Sequence, residues 1–289
     1  MLSNFPREYS SFEYIQKNPD LSEEELELHW NSHGWKEDRL GQFVLTRSHL
    51  KGILDRHIKY LEIGPYGRPF LTRDMFNVKY FDVLSQDDLK TKSRSDSDHD
   101  EKNIPLIDYI DPFGDLSIIN EKFDSVFSSH CIEHQPSILS HLKGVSNLLN
   151  DGGIYICIIP NYRYCFDRHK PPSTIIDVIE AYLWADKNHS HKNILLHRYY
   201  SAHNNPILHW EGNSNRVSVE NVNVNEVIEF LTSPQDGYID CHAWFFDENI
   251  FSSIFKNPDI AQLIGLNLGR CYQTPINSHE FIAIFQKST

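Results

Sequence analysis

Lys59-Tyr60-Leu61-Glu62-Ile63-Gly64-Pro65-Tyr66-Gly67 decides the reading of this chain. An apolar run closes on an acid and a glycine follows at once, the pattern of a buried parallel strand that ends in a tight, ligand-holding loop. Glycine is needed where the backbone takes positive φ or where a ligand must approach without a Cβ in the way. Gly64 and Gly67 are the candidates for that role.

Downstream, Val78 to Val83 reads as a second strand that ends near Asp82. The acid stands roughly 20 residues after Gly64, the offset at which a carboxylate takes ribose hydroxyls in a βαβ unit. Ile104 to Ile110, Phe123 to Ser128 and Ile154 to Ile159 read as further buried strands. Leu139, Leu142, Val145, Leu148 and Leu149 form a helical stripe that ends at Asp151-Gly152-Gly153. Before the first strand, Leu50, Ile53 and Leu54 suit a helix over Arg47 to His57. Cys241 to Phe246, a helix after Asp247, Gly265 to Tyr272 and Glu280 to Phe285 supply the closing strands and helix. Strand and helix alternate as in an α/β sheet.

Two stretches break this regularity. Leu89 to Asn103 is a charged run without apolar periodicity, read as a solvated loop. Residues 161–236 carry Arg163, Arg168, His169, Lys170, a helix from Thr174 to Trp184, and His197, His203 and His209. So long an interruption is expected to be a cap over the strand ends. The first 45 residues form a helical appendage, with Ser22 and Glu25 as a capping box. Residues 46–289 form the main domain.

The chain has 289 residues and a formal charge of -13, and its pI is about 5.6. That balance speaks against nucleic acid, whose binding needs clustered Lys and Arg. No apolar run reaches the roughly 20 residues of a membrane span, and the N-terminus lacks the order of a secretory signal. The expected location is cytoplasmic. The five cysteines are never spaced C-x-x-C, so neither a disulfide framework nor a thiolate zinc site is expected.

Leu61-Glu62-Ile63-Gly64-Pro65, Asp82, Phe123-Asp124-Ser125-Val126-Phe127-Ser128-Ser129-His130-Cys131-Ile132-Glu133-His134 and Leu148-Leu149-Asn150-Asp151-Gly152-Gly153 resemble class I S-adenosylmethionine (SAM) dependent methyltransferases. The resemblance implies a Rossmann-like seven-stranded sheet of order 3-2-1-4-5-7-6. It implies that Glu62, Gly64, Pro65 and Gly67 hold the methionine end of SAM. Asp82 would take the ribose, Asp111 to Leu116 the adenine side, and Ser129 would lie against the cofactor. Tyr66 and Arg68 stand where that family's loop carries its second and third glycines. Ile159-Pro160-Asn161-Tyr162-Arg163-Tyr164-Cys165-Phe166-Asp167-Arg168-His169 and His242-Ala243-Trp244-Phe245-Phe246 resemble a bacterial subgroup of capsule and O-antigen assembly. That implies a glycan or other small-molecule acceptor and a glycosyltransferase as partner.

His130 follows the fourth strand, where an open α/β sheet presents groups to its ligand, and is the first choice as base. Glu133 and His134 complete the catalytic candidates. The same trio could hold a divalent metal, with a fourth ligand from His197, His203 or His209, because i and i+4 share a helical face. An E-x-x-E-H cluster of this kind occurs in some small-RNA and quinone-precursor methyltransferases. By motif alone H-x-x-E-H also resembles an inverted zinc protease site, against which the surrounding blocks argue. Arg163, Arg168, His169 and His203 are the substrate candidates, since guanidinium matches phosphate oxygens. An O-methyltransferase on a sugar or phosphate-bearing intermediate is the leading expectation. An N-methyltransferase on an amino sugar or amino alcohol, and an idle tethering or glycan-binding module, are the alternatives.

Overall fold

The computed structural model describes residues 1–5, 20–22, 25, 29, 44–94, 101–184, 188–214, 222–233 and 238–288. Most of the expected N-terminal appendage lies outside the described residues. Within it, the Ser22 N–H donates to Glu25 Oε2 at 3.4 Å, one of the two bonds of a capping box, and the Ser22 hydroxyl donates to the same oxygen at 2.7 Å.

Seven strands form one sheet: β1 (Lys59–Ile63), β2 (Asn77–Asp82), β3 (Tyr109–Ile110), β4 (Phe123–Ser129), β5 (Leu149–Pro160), β6 (Leu266–Cys271) and β7 (Glu280–Lys287). Their spatial order is β3-β2-β1-β4-β5-β7-β6, the order expected of the class I methyltransferase sheet. β3, β2, β1, β4 and β5 run parallel, and β7 pairs antiparallel with both β5 and β6. Helices α1 (Arg47–Ile53), α2 (Gln86–Ser93), α3 (Ile138–Leu148), α8 (Glu248–Phe255) and α9 (Pro258–Ile264) accompany the sheet. Between β5 and α8 lie α4 (Ile175–Trp184), α5 (His191–Tyr200), α6 (Pro206–Trp210) and α7 (Val224–Thr232). Each of α1, α2, α3, α8 and α9 starts on a Thr, Ser, Asp or Asn whose side chain accepts a first-turn N–H. No helix among the described residues is long and apolar enough to cross a membrane.

Alternation along the strands divides the core in two. Leu61, Ile63, Val126, Tyr155, Cys157 and Ile159 pack on one face with α3, α8 and α9. Tyr60, Val78, Tyr80, Phe127, Ile156 and Ile158 pack on the other with Leu50, Phe70 and Leu71. Glu62 belongs to this second face by parity, which bears on its role below.

Four expectations are corrected. The third strand is only Tyr109–Ile110, because the Asp108 carboxylate takes the Tyr80 N–H at 2.7 Å and fills part of the ladder itself. The charged run starts inside α2, since Ser85 caps that helix through the N–H of Asp88. β5 begins at Leu149 rather than after the glycines, so Asp151-Gly152-Gly153 lies within the strand. Cys241 to Phe246 is extended but outside the sheet, with a single bridge between Asn161 and Phe246.

That last segment acts as a strap across two loops. Ala243 N–H donates to the Glu133 carbonyl at 2.8 Å, and Trp244 Nε1 donates to the Gln135 carbonyl at 2.6 Å. Ser173 N–H donates to the Phe245 carbonyl at 3.0 Å and Tyr162 N–H to that of Phe246 at 2.9 Å. The loop after β4 is thus tied to the chain after β5.

Gly153 is hemmed in by main chain. A Cβ there would stand 2.8 Å from the Asn150 carbonyl oxygen and 3.0 Å from that of Asp124, both backbone atoms. Gly153→Ala is expected to destabilise the protein by about 1–3 kcal/mol, read as a lowered urea midpoint at unchanged slope.

Candidate active site

The carboxyl ends of β1, β2 and β4 meet where the strand order reverses, which is where open α/β sheets bind ligands. A cavity of about 560 Å³ opens there, lined among others by Gly64, Asp82, Leu116, His130, His134 and Asp240. Gly64 has φ +69°, and its N–H donates to the Phe81 carbonyl at 2.9 Å, so the loop leaves β1 still anchored to β2. Tyr66 has φ +37°. The residue standing in place of a glycine therefore takes the left-handed conformation that glycine would adopt.

The expected cofactor residues divide into two groups. Gly64, Asp82 and Leu116 face the cavity, whereas Glu62, Pro65, Gly67, Asp111 and Ser129 do not line it. Glu62 is buried and its two oxygens accept the N–H groups of Phe70 and Leu71 at 2.7 and 2.8 Å. It braces the far end of the glycine loop, while desolvation pushes its carboxyl up to about 8. Asp111 accepts the N–H groups of Phe113 and Asp115, both at 2.9 Å, and so shapes the turn that brings Leu116 to the cavity. Asp82 is nearly buried at the cavity wall, and desolvation raises its carboxyl to about 6.

His130 leaves β4 with φ +51°, an uncommon conformation for a residue with a Cβ. Its N–H donates to the Ile158 carbonyl at 2.9 Å, and its ring Nε2 lies 2.9 Å from Glu280 Oε2. Arg47 holds Glu280 from the other side, through Nε at 2.6 Å and a terminal nitrogen at 2.8 Å. The same terminal nitrogen donates to Ser129 Oγ at 2.7 Å, which accounts for Ser129. Burial would raise Glu280, but its bonds to His130 and Arg47 prevail and hold it down at about 2. An ionised Glu280 fixes the proton of His130 on Nε2 and leaves Nδ1 to accept.

Glu133 follows on a 3-10 turn, Ile132–His134, so the i,i+4 helical geometry expected for His130 and His134 is not formed. The Glu133 side chain is wholly buried, and His130 Nδ1, His134 Nε2 and His242 Nε2 stand 3.6, 3.9 and 3.9 Å from its Oε1. His134 Nδ1 pairs with Asp240 at 2.8 Å and His242 Nδ1 with Asp167 at 2.6 Å. Burial works against a charged His134, but the Asp240 bond and the Glu133 charge outweigh it and raise the ring. None of the three expected fourth partners is here. His203 and His209 stack on each other at 4.0 Å, and His197 packs against Phe166 at 5.7 Å.

The expected substrate residues lie away from this cavity. Arg163 pairs with Asp247 at 3.0 Å, Arg168 donates to the Arg163 carbonyl, and His203 bonds the Asn213 carbonyl at 2.9 Å. His169 does not line it either. A second hollow of about 720 Å³ lies under α4 and α5 and shares Pro136 with the first; Asp177, Glu180, Asn188, His191 and Asn193 supply its polar walls.

Sequence spacing missed Arg47, Asp167, Asp240, His242 and Glu280. Arg47 and Glu280 are 233 positions apart, a distance no local pattern spans. His242 and Asp167 left a trace, in the two blocks that carry the narrower resemblance.

No family profile and no curated protein matches the chain. Among solved structures it is similar to the CcbJ methyltransferase from Streptomyces caelestis, at 11% identity over 84% of this chain and 94% of that one, TM-score 0.43. It is also similar to an S-adenosylmethionine-dependent methyltransferase from Clostridium acetobutylicum, at 10% identity over 91% and 97%, TM-score 0.43. A third is a putative S-adenosylmethionine-dependent methyltransferase from Listeria monocytogenes, at 12% identity over 84% and 97%, TM-score 0.42. Likeness at this level says nothing about chemistry.

Glu280→Gln removes the charge that binds Arg47 and His130. Because Arg47 is 41% exposed, the expected loss is about 1–2 kcal/mol rather than the larger cost of a fully buried pair. A carboxyl held at about 2 when folded and near 4.5 when unfolded stabilises above pH 4.5 and loses that contribution as pH falls toward 2. Thermal melts between pH 6 and 3 should show a shallower acid decline in Glu280→Gln than in the parent.

Proposed function

We propose that this protein transfers a methyl group from SAM to a hydroxyl of a small, polyhydroxylated acceptor, with a surface-glycan sugar as the candidate class. The observation that carries this is one cavity at the switch point of a 3-2-1-4-5-7-6 sheet. It joins a positive-φ Gly64, a nearly buried Asp82 at the end of β2 and a tethered His130. When bound, SAM supplies a methyl already activated on a sulfonium, so the protein's task is alignment and proton removal. Gly64 lets the ligand approach the backbone, and Asp82 takes the ribose hydroxyls. Leu84, Phe113 and Leu116 give the cavity apolar walls for a flat base. Glu62 and Asp111 keep the two flanking turns in shape.

His130 accepts the acceptor's proton. Its ring is oriented by Glu280, as a base is oriented by a carboxylate in hydrolytic triads. The hollow under α4 and α5, with its carboxylates and amides, suits hydroxyl donors, which supports a sugar. Arg163 and Arg168 are already engaged, so a phosphate is not needed for recognition. The left-handed backbone at Tyr66 weighs against an idle module, since the loop keeps its ligand-side path without a second glycine.

Calorimetry with SAM and its demethylated product, then labelled transfer to a panel of sugars and amino sugars, tests this reading. Absence of binding to either ligand at millimolar concentration would sink it. Ribose hydroxyls donate to ionised Asp82, so affinity for the demethylated product should be full above pH 6 and fall as pH drops through 6. Asp82→Asn should abolish that pH dependence and weaken binding by about 1.5–3 kcal/mol. His130→Ala should lower turnover about 10²–10⁴-fold while SAM affinity stays near that of the parent.

A further inference from the structure

The Glu133 carboxylate is fully buried, and neither oxygen has a hydrogen-bond partner among the described residues. An unpaired buried carboxylate is costly, and native structures pair or neutralise such groups. Three imidazoles surround Glu133 without reaching hydrogen-bond distance. Its Oε1 faces His134 Nε2 and His242 Nε2, each at 3.9 Å, and His130 Nδ1 at 3.6 Å, all too far for a hydrogen bond. The donor atoms of Glu133, His134 and His242 all lie within 4.8 Å of one another. With metal–ligand bonds of roughly 2.0–2.2 Å, neighbouring donors on a four-coordinate ion stand about 3.4 Å apart, so the donors, at 3.9 Å from Glu133, would draw in by about half an ångström around an ion.

The outer partners of the two imidazoles point the same way. His134 Nδ1 is held by Asp240 and His242 Nδ1 by Asp167, so a carboxylate fixes each ring with Nε2 turned toward Glu133. Carboxylate–histidine pairs of this kind orient the rings that ligate metals. Asp167 is itself bound by the buried Lys170 at 2.5 Å. Glu133, Asp167 and Asp240 thus place three carboxylates around the two rings, with Lys170 paired to Asp167. The neighbouring His130, His279 and Glu280 group has the spacing of a site too, but Arg47 already neutralises its carboxylate.

We propose that Glu133, His134 and His242 hold a divalent first-row transition ion. Two imidazole nitrogens and one carboxylate favour zinc, manganese, iron or cobalt over magnesium or calcium, which prefer all-oxygen shells. Three protein ligands leave coordination positions open, and His134 is on the wall of the 560 Å³ cavity, so the site adjoins that cavity. If the methyl-transfer reading above is right, the ion orients and acidifies the acceptor hydroxyl whose proton passes to His130. The ion site itself does not depend on that reading.

The test is made on the full chain after dialysis against chelator, with no SAM and no acceptor present. Titration with Co²⁺ should give one equivalent bound at micromolar affinity or better, with visible d–d absorption, and millimolar Mg²⁺ should not displace it. Glu133→Gln, nearly isosteric, and His242→Ala should weaken binding at least about 100-fold, and Asp240→Asn about 10–100-fold. His203→Ala, in the outlying stacked pair, should bind as the parent does, with circular dichroism confirming the fold of each variant. Failure of the parent to bind Co²⁺ or Zn²⁺ below millimolar concentration overturns the proposal, whatever the variants do. So does binding that survives Glu133→Gln in a folded protein. Since no methyl transfer is measured, a missing SAM activity and a missing ion register separately.

Discussion

Main-chain hydrogen bonding in the parallel ladder is the constraint from which the rest follows. β1, β2, β4 and β5 are buried on both faces, so their N–H and C=O groups have no solvent to turn to and must pair with one another in register. Once Lys59–Ile63 is paired on both sides, the ends of β1, β2 and β4 stop at one level, and the chain must leave the sheet there in tight turns. Gly64 and His130 both leave through left-handed backbone while their N–H groups remain on a neighbouring strand. The cavity is the space those exits enclose.

Charge is then distributed around that space by distant pieces of chain. Glu280 arrives on β7, Arg47 on α1, Asp240 and His242 on the strap, and Asp167 on the loop after β5. Each of these carboxylates takes an imidazole, and Asp167 and Glu280 also take a cation, so burial does not leave them exposed to an apolar interior. Glu133 alone keeps two bare oxygens. Its setting differs from that of Glu62, equally buried, which spends both oxygens on main-chain N–H groups.

Local sequence carried most of the strands, the Gly64 loop, Asp82 and the His130 to His134 block, because each depends on periodicity or on a turn only a few residues long, while the strand order came from the family resemblance. β3 was overestimated since apolar residues between Ile104 and Ile107 pack in the core without joining a ladder. Cys241 to Phe246 has the composition of a strand and the burial of one, yet its hydrogen bonds go to loops. Composition reports burial and cannot say which partner the backbone finds. Other ion-pair partners were invisible for a plainer reason: nothing near Arg47, Asp240 or Glu280 in sequence distinguishes them from surface charges. His203 and His209 looked like ligands and instead satisfy each other and the main chain.

The place of β7 in the chain has a consequence for biosynthesis. A chain emerging from the ribosome can pair β1, β2, β4 and β5 early, since these follow one another through local crossovers. Glu280 sits on a strand made more than a hundred residues after His130 and inserted between β5 and β6. Until it docks, Arg47 and His130 have no common partner, and the antiparallel edge of β5 stays open. An incomplete polypeptide therefore lacks the Arg47–Glu280–His130 group, which is assembled only when β7 closes the sheet.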